Sequence, residues 1–422
     1  MNINSKENDH RISILGLSLV NVFGGLIFGY NTGVIAGVLN LPEFKSYSDI
    51  NKGILTCSLL IGAMVGSLVA GYVLDKLGRK RPMAIFAIVS IVGSVGSSFV
   101  PTHLWYMVPF RFILGLSVGV CAVVCPNYVG EMSPPERKGT LGTLFQIAIT
   151  VGILIGDIVG FALQHVKYDY RLMFGLGFIP GLCLFLLVPN IPESTKWKNQ
   201  KEQETTLLLK DKQIKSLGIR EIISSPIGRF SMFIGLILAI NNQLTGINSF
   251  IYFSPSIFEE AGISSGNGAM LATIGLMAWN VITTFIATFL IDRIGRRKLM
   301  IYGSLIMTIS CLVIAILFLT IKGTALGVLS IILLFMFIMG FEAGAGPLFW
   351  ILVIEIFPED MRDTGSSVLN AIQWIFNITL SFSFLQLVNL IGQSSVFFVF
   401  FAIGVFCLVT IILKLPETKP NI

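Results

Sequence analysis

The chain has 422 residues, of which 54% are hydrophobic and only 12% charged, and this composition excludes a soluble globular protein. Its formal net charge of +6 requires no nucleic-acid partner, because the basic residues collect in the segments between apolar runs. The six cysteines lie inside apolar runs and lack metal-ligand spacing, so we expect no disulfide, no metal and no cofactor.

Twelve apolar runs follow one another along the chain, and each is long enough to cross a bilayer, which takes about 20 residues. An even number of spans puts both termini on one side of the membrane. Because 23 of the 29 lysines and arginines fall on that side, the positive-inside rule predicts that it is the cytoplasm. The predicted spans are residues 12–36, 53–74, 83–100, 105–129, 140–163, 172–190, 227–256, 268–291, 299–321, 324–355, 366–391 and 395–414.

Charged motifs repeat between the two halves of the chain at offsets of 217 or 224 residues. This repeat predicts two homologous six-helix halves, residues 1–190 and 227–422, with a substrate site at their interface. Residues 191–226, a polar segment rich in Lys and Glu, would separate them on the cytoplasmic side. The repeated motifs are Asp75-Lys-Leu-Gly-Arg-Lys80 with Asp292-Arg-Ile-Gly-Arg-Arg297, Glu131 and Lys138 with Glu355 and Arg362, and Pro192-Glu193-Ser194 with Pro416-Glu417-Thr418.

Residues 230–258 hold no charged residue, yet they include four carboxamides. An amide in hydrocarbon costs several kcal/mol, as an order of magnitude, unless it is hydrogen-bonded. Taken alone, this segment either binds helices together or lines a wet cavity that takes a polar solute. Its place as the first span of the second half, beside the interface between the repeats, favours the solute site.

Six motifs are spread over nearly the whole chain: Phe28-Gly-Tyr-Asn-Thr-Gly-Val-Ile35, the paired charged loops, Pro192-Glu193-Ser194, Gln243-Leu-Thr-Gly-Ile-Asn248, Gly346-Pro-Leu-Phe-Trp350 and Pro416-Glu-Thr-Lys419. Together they resemble the sugar porter family of the major facilitator superfamily, and within it the facilitative glucose transporters. The resemblance implies an all-α membrane fold of twelve helices in two pseudo-symmetric halves, with short helices in the linker. It also implies transport of a hexose, glucose first, by alternating access.

The same resemblance implies which residues bind the sugar. Amides exchange hydrogen bonds with vicinal hydroxyls, aromatic faces pack against the sugar ring, and a neutral polyol needs no countercharge. Asn242 stands where the family usually has glutamine, so we expect the substrate preference to differ there. Tyr252 and Phe253 would form the gate that closes the outer side. The substrate-binding residues would be Gln146, Asn242, Gln243, Asn248, Asn280, Phe341, Glu342, Trp350, Gln373 and Trp374.

By resemblance, the repeated charged motifs form a salt-bridge latch that holds the cytoplasmic face shut while the site opens outward. The positive-inside rule alone would explain the basic residues, but not acidic residues at repeated spacing. Lys138 stands where the family usually has arginine, and lysine pairs as a point charge. The latch residues would be Asp75, Arg79, Glu131, Lys138, Glu193, Asp292, Arg296, Arg297, Glu355, Arg362 and Glu417.

Asn31 lies in the first span, where proton-coupled relatives commonly carry aspartate, and the resemblance places Arg111 of the fourth span nearby. An asparagine does not titrate, so we expect a uniporter that moves sugar down its gradient. The alternative is a proton–sugar symporter that uses Asp157 or Glu342. Asp157, in the outer half of span five, either faces the outer vestibule or replaces the missing aspartate as a proton carrier.

Two other classes of function agree less well with the sequence. Transporter-like sugar sensors usually carry long cytoplasmic tails, whereas the tails predicted here are about 11 and 8 residues. An enzyme is not expected, because no nucleophile–base arrangement is visible and the three histidines lie outside the spans or at their edges. We therefore expect a multi-pass plasma-membrane protein that works as a monomer, with lipid and a small sugar as partners.

Overall fold

The computed structural model describes residues 13–134, 137–199, 201, 218–263, 267–358 and 361–418. Within these residues, twelve helical segments are long and apolar enough to cross a membrane. The predicted all-α fold with twelve transmembrane helices is therefore confirmed. Apolar length was a sufficient signal because a lipid-exposed backbone must satisfy its own hydrogen bonds, which a helix does.

The first half supplies six spans, of which the sixth is divided. Two of its helices begin at a serine whose hydroxyl accepts a backbone amide proton: Ser13 from Gly16 at 3.1 Å, and Ser48 from Asn51 at 3.3 Å. The helices of this half are α1 (Ile14–Leu39), α2 (Pro42–Lys45), α3 (Asp49–Leu77), α4 (Lys80–Phe99), α5 (Leu104–Met132), α6 (Lys138–Leu163), α7 (Asp169–Gly175) and α8 (Phe178–Leu187).

The second half contains two interruptions inside its spans. Span seven divides at Gly246, whose φ of +110° lies in the left-handed region that glycine adopts without strain. Span ten contains a π-helical turn just before Pro347, which has no N–H group to donate. The helices are α9 (Ile219–Ser224), α10 (Pro226–Gln243), α11 (Ile247–Glu260), α12 (Asn267–Ile294), α13 (Arg296–Thr320), α14 (Thr324–Gly340), the π-helix (Phe341–Ala345), α15 (Gly346–Glu355), α16 (Arg362–Ile391) and α17 (Gln393–Lys414).

The predicted linker at residues 191–226 is described only in part. Residues 195–199 are helical, and α9 lies just before α10, but residues 202–217 are outside the described residues. The division into residues 1–190 and 227–422 remains a prediction.

α1 and α6 pack so closely that their backbones touch. A Cβ atom added at Gly29 would lie 2.0 Å from the Ile149 carbonyl oxygen, and one added at Gly37 would lie 2.6 Å from Gly160 Cα. Small residues permit this approach, and close van der Waals contact is what holds helices together in a membrane. The two helices therefore form a tightly joined pair inside the first half.

The two membrane faces are named here by the chain segments they carry. The terminal face carries both ends of the described chain and the charged loops at residues 75–80 and 292–297, and the distal face carries residues 40–48. The halves meet toward the distal face, where Gln164 Nε2 donates to Asn267 Oδ1 at 2.7 Å. This contact joins α6 of the first half to α12 of the second.

Candidate substrate site

The divided span seven brings four carboxamides to the middle of the membrane. Asn241, Asn242 and Gln243 end α10, and Asn248 is the second residue of α11. The exposed fraction of each of the four residues is 8% or less. Because buried amides are costly without partners, their hydrogen bonds show what each one does.

Three of these amides join Gln373 of α16 in one network. Asn242 Nδ2 donates to the Ala345 carbonyl at 2.7 Å, and Asn242 Oδ1 accepts from Gln243 Nε2 at 2.6 Å. Gln373 Nε2 approaches the same oxygen at 3.4 Å, and Asn248 Nδ2 donates to Gln243 Oε1. We call Asn242, Gln243, Asn248 and Gln373 the amide network. Asn242 uses both ends of its side chain inside the protein, so it positions its neighbours and anchors them to the π-helix.

Asn241 has a different role from the amide network. Its Nδ2 atom donates to Ser304 Oγ at 2.9 Å and lies 3.7 Å from Met300 Sδ, which joins α10 to α13. Asn241 therefore connects helices, which is one of the two interpretations that the sequence left open. The next three carboxamides along the chain bond mainly to one another, and their role as a solute site stays a prediction.

Three of the predicted substrate-binding residues have an acceptor oxygen without a donor. In the described part of the chain, Gln373 Oε1, Asn280 Oδ1 and Glu342 Oε2 are buried and accept no hydrogen bond. The Glu342 carboxyl group also interacts with the Thr284 side chain. Buried polar atoms nearly always have partners, so these oxygens point to a ligand or water that donates protons to them. Hydroxyl groups would meet that need.

Aromatic residues separate this region from the distal face. Tyr252 and Phe253 are buried at 3% and 2% exposure, and both also line a distal cavity of about 220 Å³. The Phe253 ring stacks on Phe384 at 5.5 Å between centroids. On the first half, the Phe28 ring stacks on Trp374 at 6.0 Å. The two predicted gate residues thus lie where span seven would seal the distal side.

Three other predicted sugar-binding residues are buried to different extents. Phe341 is buried within the π-helix, and Gln146 of α6 is half-buried. Trp350 of α15 is 40% exposed, and its ring meets Phe349 edge-on at 5.3 Å. None of the three makes a described hydrogen bond with the amide network, so the structure brings together only part of the predicted set.

Arg111 is fully buried beside Asn31. Its Nη1 atom donates to the Asn31 carbonyl oxygen at 3.2 Å, and its guanidinium lies 5.3 Å from the centroid of the Phe174 ring. The Asn31 side chain donates to the Ile27 carbonyl within α1. The cation therefore contacts a backbone dipole and an aromatic face, as expected when no carboxylate stands at position 31.

Asn377 was missed as a site residue by the sequence reasoning. It lies one helical turn after Gln373 on the same face of α16, is 5% exposed, and is hydrogen-bonded to Tyr252, one of the two predicted gate residues. Ser381 Oγ donates to its Oδ1 atom at 3.1 Å. The spacing of four residues between two amides in one span was the signal that could have found it.

Comparisons with known proteins identify the family of this chain. Residues 17–421 match the family described as "Sugar (and other) transporter". The chain belongs to the sugar porter family of the major facilitator superfamily. It is 34% identical to the "Glucose transporter GlcP" of Staphylococcus epidermidis, over 98% of this chain and 95% of that one. It is 32% identical to the "Galactose-proton symporter" of Escherichia coli, over 94% of this chain and 89% of that one.

Solved structures similar to this sugar porter are those of the xylose transporter XylE from E. coli. Its partially occluded, inward-open conformation has a TM-score of 0.80 at 26% identity and covers 97% of this chain and 99% of that one. Its inward-open conformation also has a TM-score of 0.80 and covers 97% of this chain and 98% of that one. The predicted family and fold are therefore confirmed, and the likeness is to conformations that open on one side.

In this sugar porter, the described ion pairs of the predicted latch join residues of the same half. Arg79 Nη2 lies 2.6 Å from Glu131 Oε1 in the first half, and Arg296 Nη2 lies 3.8 Å from Glu355 Oε1 in the second. The side chains of Asp75, Lys138 and Asp292 are outside the description. Among the remaining latch residues, Arg362 Nε has no described partner, and Arg297 Nη2 donates to the Ile412 carbonyl at 2.8 Å.

Two repeated glutamates cap equivalent helices of the sugar porter. Glu193 Oε1 accepts from the Arg79 amide at 2.9 Å, before α4, and Glu417 Oε1 accepts from the Arg296 amide at 3.2 Å, at the start of α13. Gly78 makes room for this contact, because its φ is +81° and a Cβ atom would lie 2.7 Å from Glu193 Oε2. Each glutamate thus bonds to the backbone amide of an arginine in the charged loop of its own motif set, and its part in a latch stays a prediction.

The distal face of the sugar porter is closed by polar contacts between the halves. Lys45 Nζ lies 3.0 Å from Glu259 Oε1, and Asn389 Nδ2 donates to Asp49 Oδ2. We call these four residues, with Gln164 and Asn267, the distal clasp. Sequence motifs gave no sign of it, because its partners are as far as 340 residues apart.

Reversing one charge of the distal clasp should favour opening of the distal face. With Lys45→Glu, two acids face each other. Exposed pairs contribute at most about 1 kcal/mol, so the ratio of distally open to distally closed protein should rise by up to about fivefold. The measurement is the labelling rate, by an impermeant thiol reagent, of a cysteine at Ala36, which is 2% exposed and lines the distal cavity. The double variant Lys45→Glu/Glu259→Lys should restore the original rate; faster labelling in both variants would contradict the clasp.

Proposed function

We propose that this sugar porter carries a hexose, glucose first among candidates, across the plasma membrane by alternating access. The observation that carries the proposal is the set of buried acceptor oxygens on Gln373, Asn280 and Glu342 beside the amide network. A sugar's vicinal hydroxyls can donate to these oxygens while their own oxygens accept from amide N–H groups. The names of the relatives, a glucose transporter and a galactose–proton symporter among them, support a monosaccharide.

We further propose that transport is uniport and that the terminal face is cytoplasmic. Asn31 cannot release a proton, and the described hydrogen bond of Arg111 goes to the Asn31 carbonyl and not to a carboxylate, so the first span holds no titrating pair. The basic residues gathered on the terminal face support its cytoplasmic side. The second candidate is proton symport, which is favoured by the buried carboxyl groups of Asp157 and Glu342 and by the symporters among the relatives.

Uptake of labelled glucose into proteoliposomes tests this function. We expect net influx to stop when the glucose concentrations inside and outside are equal. Hexose epimers should compete with glucose, each with a different affinity. The internal glucose concentration at which net influx stops should be the same with and without an imposed pH gradient of acid outside, provided that the outer pH is held constant. Accumulation above equilibrium driven by protons would contradict uniport, and binding of glucose without any flux would favour a sensor.

A further inference from the structure

Asp157 of α6 is completely buried, and among the buried acidic side chains of the described residues it is the one in which both oxygens lack a hydrogen-bond donor. An unpaired carboxylate in a low-dielectric interior is far more costly than a neutral carboxylic acid. The closed distal face therefore accommodates Asp157 in its protonated form. No part of the sugar site described above uses this side chain.

The surroundings of Asp157 place it at the seam between the two halves. On one side, the preceding Gly156 touches α1, since a Cβ atom there would lie 2.6 Å from the Val34 amide nitrogen. On the other side, Gln164 lies seven residues further on the same face of α6 and bonds to Asn267 of α12. Asp157 thus lies two turns below the distal clasp, on the face of α6 that carries the Gln164 contact to α12, the helix from which α6 must part when the distal face opens.

The helices packed around Asp157 offer no compensating cation. By sequence, α1 and residues 267–291 of α12 contain no charged residue, and the hydroxyl of Tyr30 on α1 donates to the Met173 carbonyl. On α5, Arg111 Nη1 donates to the Asn31 carbonyl, and although its Nε has no described partner, neither Asp157 oxygen accepts a hydrogen bond from it.

At the distal end, the nearest charges on α7 are also engaged. Asp169 Oδ1 accepts from the Tyr170 amide, and Arg171 Nε donates to the Tyr170 hydroxyl at 3.1 Å. The other charged residue of α6, Lys138, starts the helix at the terminal face, 19 residues away. A proton is therefore what neutralises Asp157.

We propose that Asp157 is a proton-binding site reached from the distal side, and that the distal face closes over the sugar only when this site is occupied. The proposal rests on the alternating access proposed above. When α6 and α12 separate, water reaches the carboxyl group and it ionises. Closure then requires it to take a proton back. While the seam is closed, Asp157 is not exposed, so its proton can leave only when the distal face opens again. The proton therefore returns to the distal side and is not carried with the sugar.

The test is equilibrium exchange of labelled glucose in proteoliposomes with the same pH on both sides, from 5.5 to 8.5. Because no gradient drives transport, the exchange rate reports closure of the distal face whichever way the protein is oriented in the vesicle membrane. For the wild type we expect exchange to be fast in acid and to fall toward alkaline pH by up to about tenfold per pH unit, as for one bound proton. Asp157→Asn should exchange at the acid rate throughout.

The controls separate titration from structure. Glu43→Gln changes an exposed acid of α2 on the same face and should keep the wild-type profile. Asp157→Glu keeps a titrating group and should keep a pH-dependent profile.

A flat wild-type profile would overturn the proposal whatever the variants do, as would an unchanged profile in Asp157→Asn. Alkalinisation outside that accompanies sugar uptake would show that the proton is carried, which also contradicts the proposal. Absence of hexose exchange at every pH would instead contradict the proposed function.

Discussion

Replacing Gln243 by alanine should weaken glucose binding by about tenfold or more while the protein still folds. Gln243 donates to Asn242 and accepts from Asn248, so its loss leaves two neighbouring amides without support, and it also removes the sugar contact proposed for this residue. Neutral hydrogen bonds contribute about 0.5–1.5 kcal/mol each, and a buried group that loses its partner costs a further 1–3 kcal/mol. Binding affinity is measured by isothermal calorimetry on the purified protein, with monodispersity as the test of folding.

The matched control for Gln243 is its neighbour Asn241. Asn241→Ala removes a buried carboxamide from the same helix, but one that bonds to Ser304 and not to the amide network. We expect a lower thermal midpoint with little change in glucose affinity. Equal losses of affinity in both variants would mean that general loosening of α10, not direct contact, explains the effect of Gln243→Ala.

Placing a single methyl group at Gly29 should have the largest effect on stability. The new Cβ atom would lie 2.0 Å from the Ile149 carbonyl oxygen, and backbone cannot move aside as a side chain can. α1 and α6 would have to separate, which opens voids along the whole contact, so we expect a loss of at least about 3 kcal/mol. The measurement is the thermal midpoint of detergent-purified protein, followed by size-exclusion chromatography.

Gly142→Ala is the matched control for Gly29→Ala. Gly142 lies on α6, is exposed, and would have no atom within 4 Å of an added Cβ. Alanine favours a helix by about 1 kcal/mol over glycine, so this variant should be as stable as the wild type or slightly more stable. Similar midpoints for the two variants would show that the α1–α6 backbone contact does not limit stability.

The spans, the family and the capping glutamates were predictable because each depends on short-range patterns or on repeated motifs. Apolar length defines a membrane helix whatever lies beside it. Glu193 and Glu417 occupy equivalent positions of a duplicated unit, so their common role followed from the repeat. The break at Gly246 was visible as a weak point in span seven, although its exact place depends on the left-handed backbone there.

The partners inside the site were not predictable in the same way. Asn241 and Asn242 are adjacent and chemically identical, yet one bonds to Ser304 and the other to the Ala345 carbonyl. Helix rotation decides this difference, and an amide-rich sequence does not report it. The π-helix, which supplies that carbonyl, depends on packing and on Pro347 together. Partners in the distal clasp come from opposite halves, where no local pattern connects them.

The location of the charge pairs also makes the two faces respond differently to ionic strength. Arg79 and Glu131 are only 11% and 12% exposed and lie in one half, so parting the halves on the terminal face leaves this pair intact and screening by ions affects it little. Lys45 and Glu259 are 45% and 27% exposed and come from opposite halves, so salt weakens their attraction directly. Added electrolyte therefore lowers the relative stability of the distally closed conformation, by an amount limited to the small energy of one surface pair.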